Sequence, residues 1–211
     1  MTEGEEEMVF YAYLGKAIAQ WAHVEYAIRN AIFSCLTPGD DGLNHNSVSI
    51  GYFKLEGFRQ KLKFADGIMS RALVQRPELK AQWAGLYKRA KGLSQRRNEL
   101  AHWVVMEYPK SMPGRRHAIV PWVQSKKELR HHLPPSKAYC IRDLAKVELN
   151  FFALAISFEN FAARVAGRKE PHAKHLEQAE NPPPIHRLRS LILEVFARLL
   201  RPSDEKSKEN Q

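Results

Sequence analysis

The sequence predicts a mainly α-helical protein: an up-and-down four-helix bundle with a small β-hairpin inserted between its third and fourth helices and an amphipathic helix appended at the C-terminus. Three observations lead there. Apolar residues recur three or four positions apart over four long stretches, the period of a one-sided helix. The period changes once, between residues 103 and 141, to short runs rich in β-branched and aromatic residues. After Gly167 the composition turns polar and ends in Asn181-Pro182-Pro183-Pro184.

The first helical pattern runs through Leu14, Ile18, Trp21, Ile28 and Ile32. The loop Thr37-Pro38-Gly39-Asp40-Asp41-Gly42 ends it. The second carries Leu55, Phe58, Leu62, Ala65, Met69 and Leu73. The third opens at Pro77, a favoured first helical position, and continues through Leu79, Trp83, Leu86, Ala90 and Leu93 to Arg97-Asn98-Glu99-Leu100-Ala101-His102. The fourth follows Asp143 as its N-cap, carries Leu144, Phe151, Ala155, Phe158, Ala162 and Val165, and stops at Gly167. Between the third and fourth, Trp103–Tyr108 and Ala118–Val123 read as two strands joined at Pro113-Gly114. Pro121 suits an edge strand, and a third extended piece is expected near Ala138–Ile141.

This divides the chain into a helical bundle over 1–170, with 103–141 as the hairpin insertion, and a stiff proline-containing linker over 171–184. An amphipathic helix over 185–201 and a disordered charged tail over 202–211 follow. No apolar run reaches the ~18–20 residues needed to cross a bilayer. The acidic start, Met1 to Glu7, is unlike a secretory leader. A soluble, cytoplasmic protein without a membrane partner is expected. Cys35 and Cys140 form neither a C-x-x-C pair nor a metal spacing, and read as small buried hydrophobes.

Charge points to a partner class. The formal net charge is +10. Residues 54–142 hold 20 Lys/Arg against 6 Asp/Glu, a local charge of +14, while the rest of the chain sums to −4. Such a stretch is the electrostatic footprint of a polyanion binder. Within it, Lys88, Arg89, Lys91, Arg96, Arg115, Arg116, Lys126 and Lys127 are the candidate phosphate contacts. Tyr87, Trp103, Tyr108 and Trp122 are aromatic side chains able to stack on bases, although most of them read first as core residues.

The candidate chemistry lies at the end of the third helix. At ~100° per residue, Arg97 falls on the same line as Leu79, Trp83, Leu86, Ala90, Leu93 and Ala101. A guanidinium on an apolar face needs an anion. Glu25 shows the same anomaly on the first helix, on the line through Leu14, Ile18, Trp21, Ile28 and Ile32. Two readings stand side by side. Glu25 and Arg97 form a buried ion pair that fixes register, or Arg97 lines a cleft and binds phosphate with Glu25 holding it. Asn98 and His102 are four apart and share a helix face. His102 is about 140° from Arg97 on a straight helix, and an early end to the helix would bring it closer.

The string Arg97-Asn98-x-x-Ala101-His102, together with the Trp21-x-x-x-Glu25 helix before it, resembles the HEPN (higher eukaryotes and prokaryotes nucleotide-binding) superfamily over about residues 8–167. The motif of that superfamily is Arg, four to six residues, then His, often with Asn directly after the Arg. The 103–141 insertion is not part of its minimal fold. The resemblance implies a metal-independent endoribonuclease of a toxin–antitoxin or phage-defence system, working as a homodimer whose two motifs face each other. It implies Arg97 and His102 as catalytic and Asn98 as a positioning residue, beside the positioning role read for Glu25. It further implies RNA as partner, an antitoxin protein as a second one, and no cofactor.

Strand cleavage by an RNA 2′-hydroxyl needs a base, an acid and a positive charge to stabilise the anionic phosphorane, and His and Arg supply these. No metal is expected. His131-His132 and the His172, His175, Glu177 group lack a complementary ligand set. Two other classes remain open: a helical RNA-binding or regulatory module without catalysis, and a protein-interaction bundle acting through its C-terminal helix.

Overall fold

Small residues decide how the longest helix packs. The computed structural model describes residues 3–36, 45–107, 117–121, 138–169 and 171. Among them are five helices and one two-stranded sheet: α1 (Glu3–Leu36), α2 (His45–Lys54), α3 (Phe58–Ala72), α4 (Pro77–His102), β1 (Val104–Glu107), β2 (His117–Val120) and α5 (Ile141–Val165). Along α1 the residues Phe10, Ala17, Val24, Ala27, Ile28 and Ala31 are fully buried, whereas Ile18 is 53% exposed. The buried stripe is therefore centred on alanines, not on the large aliphatics. With no side chain beyond Cβ, they let a neighbouring helix approach closely.

That neighbour is α5, and α1 against α5 is the most extensive helix pairing in the described residues. The facing helix answers in kind, with Ala145, Ala153, Ala155 and Ala162 buried beside Leu144, Phe151, Leu154 and Phe158. Four consecutive residues of α5, from Ala153 to Ile156, are buried. A helix buried all round must be covered on more than one side. Besides α1, it packs on α4, α4 packs on α3, and α3 packs on α1. Two tryptophans key these contacts. Trp21 of α1 meets Phe58 and Phe151 edge-on, with centroids 4.6 and 4.9 Å away. Trp83 of α4 packs on Phe158 and Phe161. Each indole N–H finds a carboxylate, Trp21 Nε1 donating to Glu25 Oε1 at 3.0 Å and Trp83 Nε1 to Asp66 Oδ1 at 2.8 Å. Burying such a ring contributes about 1.5–3 kcal/mol of transfer free energy only when its polar tip is satisfied.

Several boundaries differ from expectation. The second helical pattern is interrupted. Leu55 lies in a break, α3 starts at Phe58 behind an extended Gly57, and α2 is an additional helix. Its sequence, HNSVSIGYFK, is poor in strong helix formers. Tertiary anchors hold it instead. Tyr52 is fully buried and its hydroxyl donates to the Glu25 carbonyl at 3.0 Å. Asp143 is not the N-cap of the last helix. Cys140 is, and Asp143 Oδ2 accepts its backbone N–H at 3.2 Å from one turn inside. The two cysteines are half-buried, not fully buried, and free. Burial pushes both thiols up in pKa, which keeps them protonated and poorly nucleophilic.

The C-terminal stop at Gly167 is as expected. Its φ is +69°, and Arg168 N–H reaches back to the Ala163 carbonyl at 2.8 Å, closing the helix in the left-handed manner that favours glycine. Arg76, just before α4, donates to the Val165 and Arg164 carbonyls at 2.8 and 3.2 Å and so caps the same end.

The hairpin is antiparallel, with Val104 opposite Val120 and Glu107 opposite His117. The third extended piece is present as a bridge in which Tyr139 and Ile119 exchange both backbone hydrogen bonds. The Thr37–Gly42 loop, the Pro113-Gly114 turn, most of the linker, the 185–201 helix and the tail lie outside the described residues. No described helix is long and apolar enough to cross a membrane.

Glu148 of α5 is half-buried near Tyr13 and Lys16. Burial raises its pKa, and Lys16 only partly offsets this. A carboxyl raised in the folded state costs stability once pH climbs through the ordinary glutamate range. Glu148→Gln should therefore melt higher than the parent at pH 7. The gain should vanish below about pH 4, where both side chains are neutral. Melting curves that stay equally far apart at both pH values would exclude this account.

Candidate functional site

α4 presents one wall of a cleft of about 640 Å³, formed by Tyr87, Lys91, Ser94, Arg97 and Asn98. The opposite wall is the start of α3, from Gly57 to Lys63, with Glu56 before it and Glu25 of α1 at the back. The lining holds five cations, Arg59, Lys61, Lys63, Lys91 and Arg97, against the carboxylates of Glu25 and Glu56. Gly57 gives α3 no side-chain cap, and no acidic residue occupies its first turn. The positive end of that helix dipole therefore adds to the field at the cleft.

Glu25 is spoken for within this site. Its Oε2 pairs with Lys61 Nζ at 2.6 Å, while Oε1 takes the Trp21 indole N–H. The expected Glu25–Arg97 ion pair is not formed. The reason lies in the alanine-centred stripe of α1. Relative to Ala17, Glu25 stands about 80° round the helix, at the border of the core where the start of α3 passes. The Lys61 and Glu25 side chains are 12% and 17% exposed, so the pair is largely desolvated. Tyr52 packs beside it. Burial, and then the Glu25 charge, push its phenol up in pKa and keep it a donor.

Arg97 is half-buried and lines the cleft instead of the apolar interior. Its Nη1 donates to Asn98 Oδ1 at 3.3 Å. None of Arg59, Lys63, Lys91 and Arg97 has a carboxylate partner among the described residues. His102 is exposed on the last turn of α4. The helix does not end early, since Trp103 N–H still bonds the Glu99 carbonyl at 3.0 Å. The 140° between Arg97 and His102 is therefore retained, and no local turn draws them together. Even so, Lys91, Asn98 and His102 fall within about 40° of one another round α4, and His102 lies about 6 Å beyond Asn98 along the axis. His102 thus continues the edge of the cleft wall.

The other candidate contacts spread over several surfaces. Lys88 is exposed. Arg89 lines a different pocket, against Asn160 and Arg164 of α5. Arg96 is engaged on the far side of α4, where its guanidinium donates to the Tyr139 hydroxyl and Tyr139 donates to Glu99. Burial, then the bond to Glu99, pushes Tyr139 up to about 12. This clasp ties the inserted segment to the end of α4, and Trp103 packs at a tilt against Tyr139 with centroids 5.6 Å apart. Arg115, Arg116, Lys126, Lys127, Tyr108 and Trp122 lie outside the described residues. So do the His131-His132 and His172/His175/Glu177 groups. Among the described residues no cluster of His, Cys, Asp or Glu could hold a metal ion.

Sequence reasoning did not single out Arg59, Lys61 and Lys63. They alternate with Gln60 and Leu62, and only the break at Gly57 turns that short run toward α4. No family model, curated protein or solved structure matches this chain.

Glu25→Ala should cost about 1–3 kcal/mol in urea denaturation, because it strands the Lys61 ammonium and the Trp21 N–H. Arg97→Ala should stay within about 0.5 kcal/mol of the parent, as a partly exposed side chain outside the core. A buried Glu25–Arg97 pair requires both substitutions to be comparably costly, so similar losses would reject the geometry described above.

Proposed function

We propose that this protein is a metal-independent endoribonuclease similar to the HEPN type, with Arg97 and His102 catalytic and Asn98 positioning, in a toxin–antitoxin or phage-defence setting. The observation that carries the reading is the placement of Arg97 and Asn98 on a cationic cleft, with the exposed His102 one turn farther along the same edge. The packing order α1–α5–α4–α3–α1 supports an up-and-down four-helix bundle as the scaffold.

In the proposed reaction a histidine takes the proton of the RNA 2′-hydroxyl, and O2′ attacks the adjacent phosphorus. The P–O5′ bond breaks as an acid protonates O5′. The products are a 2′,3′-cyclic phosphate and a 5′-hydroxyl. Arg97 holds the charge that builds on the phosphorane. One chain supplies one motif histidine, so base and acid come from the two copies of a symmetric dimer. Glu25 acts indirectly, by fixing Lys61 on the opposite wall.

A second reading is favoured by one observation. Arg97 and His102 point about 140° apart on an unbroken helix, so a single chain does not converge them on one phosphate. On that reading the cleft binds RNA without cutting it.

Incubation with RNA in EDTA separates the two. Cleavage should persist in the chelator, leave cyclic-phosphate ends, and fall by about 10²–10⁴-fold in His102→Ala. Folded parent protein that binds RNA at low salt yet leaves it intact at every enzyme concentration would establish the binding-only reading instead.

A further inference from the structure

Beside the cleft lie two aromatic rings that remain half exposed, next to the buried ring of Phe33. Tyr26 of α1 is 50% exposed and Phe53 of α2 is 51% exposed. Arg29 sits among them, its Cζ 5.1 Å from the Tyr26 ring centroid, 4.6 Å from that of Phe33 and 5.9 Å from that of Phe53. Its guanidinium is fixed by Nε donating to Ser49 Oγ at 2.9 Å and Nη1 donating to Asn30 Oδ1 at 3.4 Å. The Phe53 ring also has Lys61 Nζ 5.7 Å from its centroid. That lysine is the one locked to Glu25 in the cleft. Lys61 therefore links the cleft to Phe53 and the aromatic group.

We propose that Tyr26, Phe53 and Arg29 form a stacking platform for unpaired bases of a single-stranded RNA whose phosphates lie in the adjoining cleft; this rests on the RNA reading above. An apolar partner helix gains nothing from a guanidinium set among the rings it would cover. A nucleotide strand gains from the rings, from the guanidinium and from the unpaired cations of the cleft, because it offers a flat π-face and a negative phosphate at every step. Stacking also selects for strand state. In a duplex the base faces are already covered by their neighbours, and only an unpaired base can leave the strand to lie on a side chain. The cleft supplies attraction to any polyanion, and the platform adds the preference for single strands.

Binding can be measured by fluorescence anisotropy on full-length His102→Ala protein, so that no probe is consumed. The probes are an oligouridylate, an RNA duplex of the same length, and inorganic polyphosphate as a competitor. Tyr26→Leu and Phe53→Leu keep apolar bulk but remove the π-system. Each should weaken oligouridylate binding about fivefold or more while leaving duplex and polyphosphate affinities unchanged. Phe53→Trp should retain single-strand binding and show indole quenching when the oligouridylate is added. Lys91→Ala should weaken all three ligands together. Leucine variants that bind the oligouridylate like the parent overturn the platform. So does a parent that holds duplex as tightly as single strand, and so does a shift in sedimentation of the leucine variants with RNA binding intact, which would assign the patch to contact between copies. A parent that binds none of the three probes defeats the RNA reading itself, a result distinct from loss of the platform alone.

Discussion

The rotation of α1 about its own axis governs the remainder of the molecule. That rotation is fixed by the close approach of α1 to α5, which the buried alanines on both helices permit. Dispersion favours the arrangement with the most atoms at contact distance, and small side chains on both partners achieve it by bringing backbones together. Once Ala17, Val24 and Ala31 lie at the centre of the buried stripe, the positions at its side follow. Trp21 turns toward Phe58 and Phe151, and Glu25 falls at the border of the core. A different rotation would carry the Glu25 carboxylate into the interior, where a lone charge is costly.

From that border position Glu25 joins α1 to two other elements, α3 and α2. Its carboxylate holds Lys61 of α3 and the Trp21 indole, and its backbone carbonyl receives the Tyr52 hydroxyl of α2. A desolvated ion pair of this kind contributes little net stability but resists the loss of either partner. Its effect here is positional. It sets the start of α3 opposite α4, so that Arg59 and Lys63 stand across from Lys91 and Arg97. It also neutralises one of the cleft's cations, while Arg59, Lys63 and Lys91 remain exposed.

Large residues at helical spacing made α3, α4, α5 and most of α1 legible from the sequence. Gly167 marked its helix end because only a residue without Cβ takes positive φ cheaply. The hairpin was legible from its β-branched runs. The rotation of α1 was not, because aliphatic size drew the stripe through Leu14 and Ile18, while the packing is centred on alanines that carry little hydrophobic signal. That single shift separates the expected Glu25–Arg97 pair from the observed Glu25–Lys61 pair. The helix α2 was invisible because Asn46, Ser47, Val48 and Gly51 disfavour a helix locally, and Tyr52 and Ser49 hold it only through distant partners. Arg97, Asn98 and Lys91 were found by motif and charge. Tyr26 and Phe53 carried no signal, since an exposed aromatic is indistinguishable in sequence from a core one.

The pairing at the centre of the molecule also bears on how the chain can be made. α1 and α5 are the first and last described helices, so the most extensive contact spans more than a hundred residues of sequence. During synthesis from the N-terminus, the alanine face of α1 has no partner until residues 141–165 have emerged. Such non-local closure slows folding, because the loop entropy is spent before the contact forms. The intervening helices α3 and α4 can pair with each other early, as neighbours in sequence. α1 meanwhile carries Phe10, Trp21, Ile28 and Ile32 on an uncovered surface, the state in which a nascent chain is most open to chaperones and to self-association.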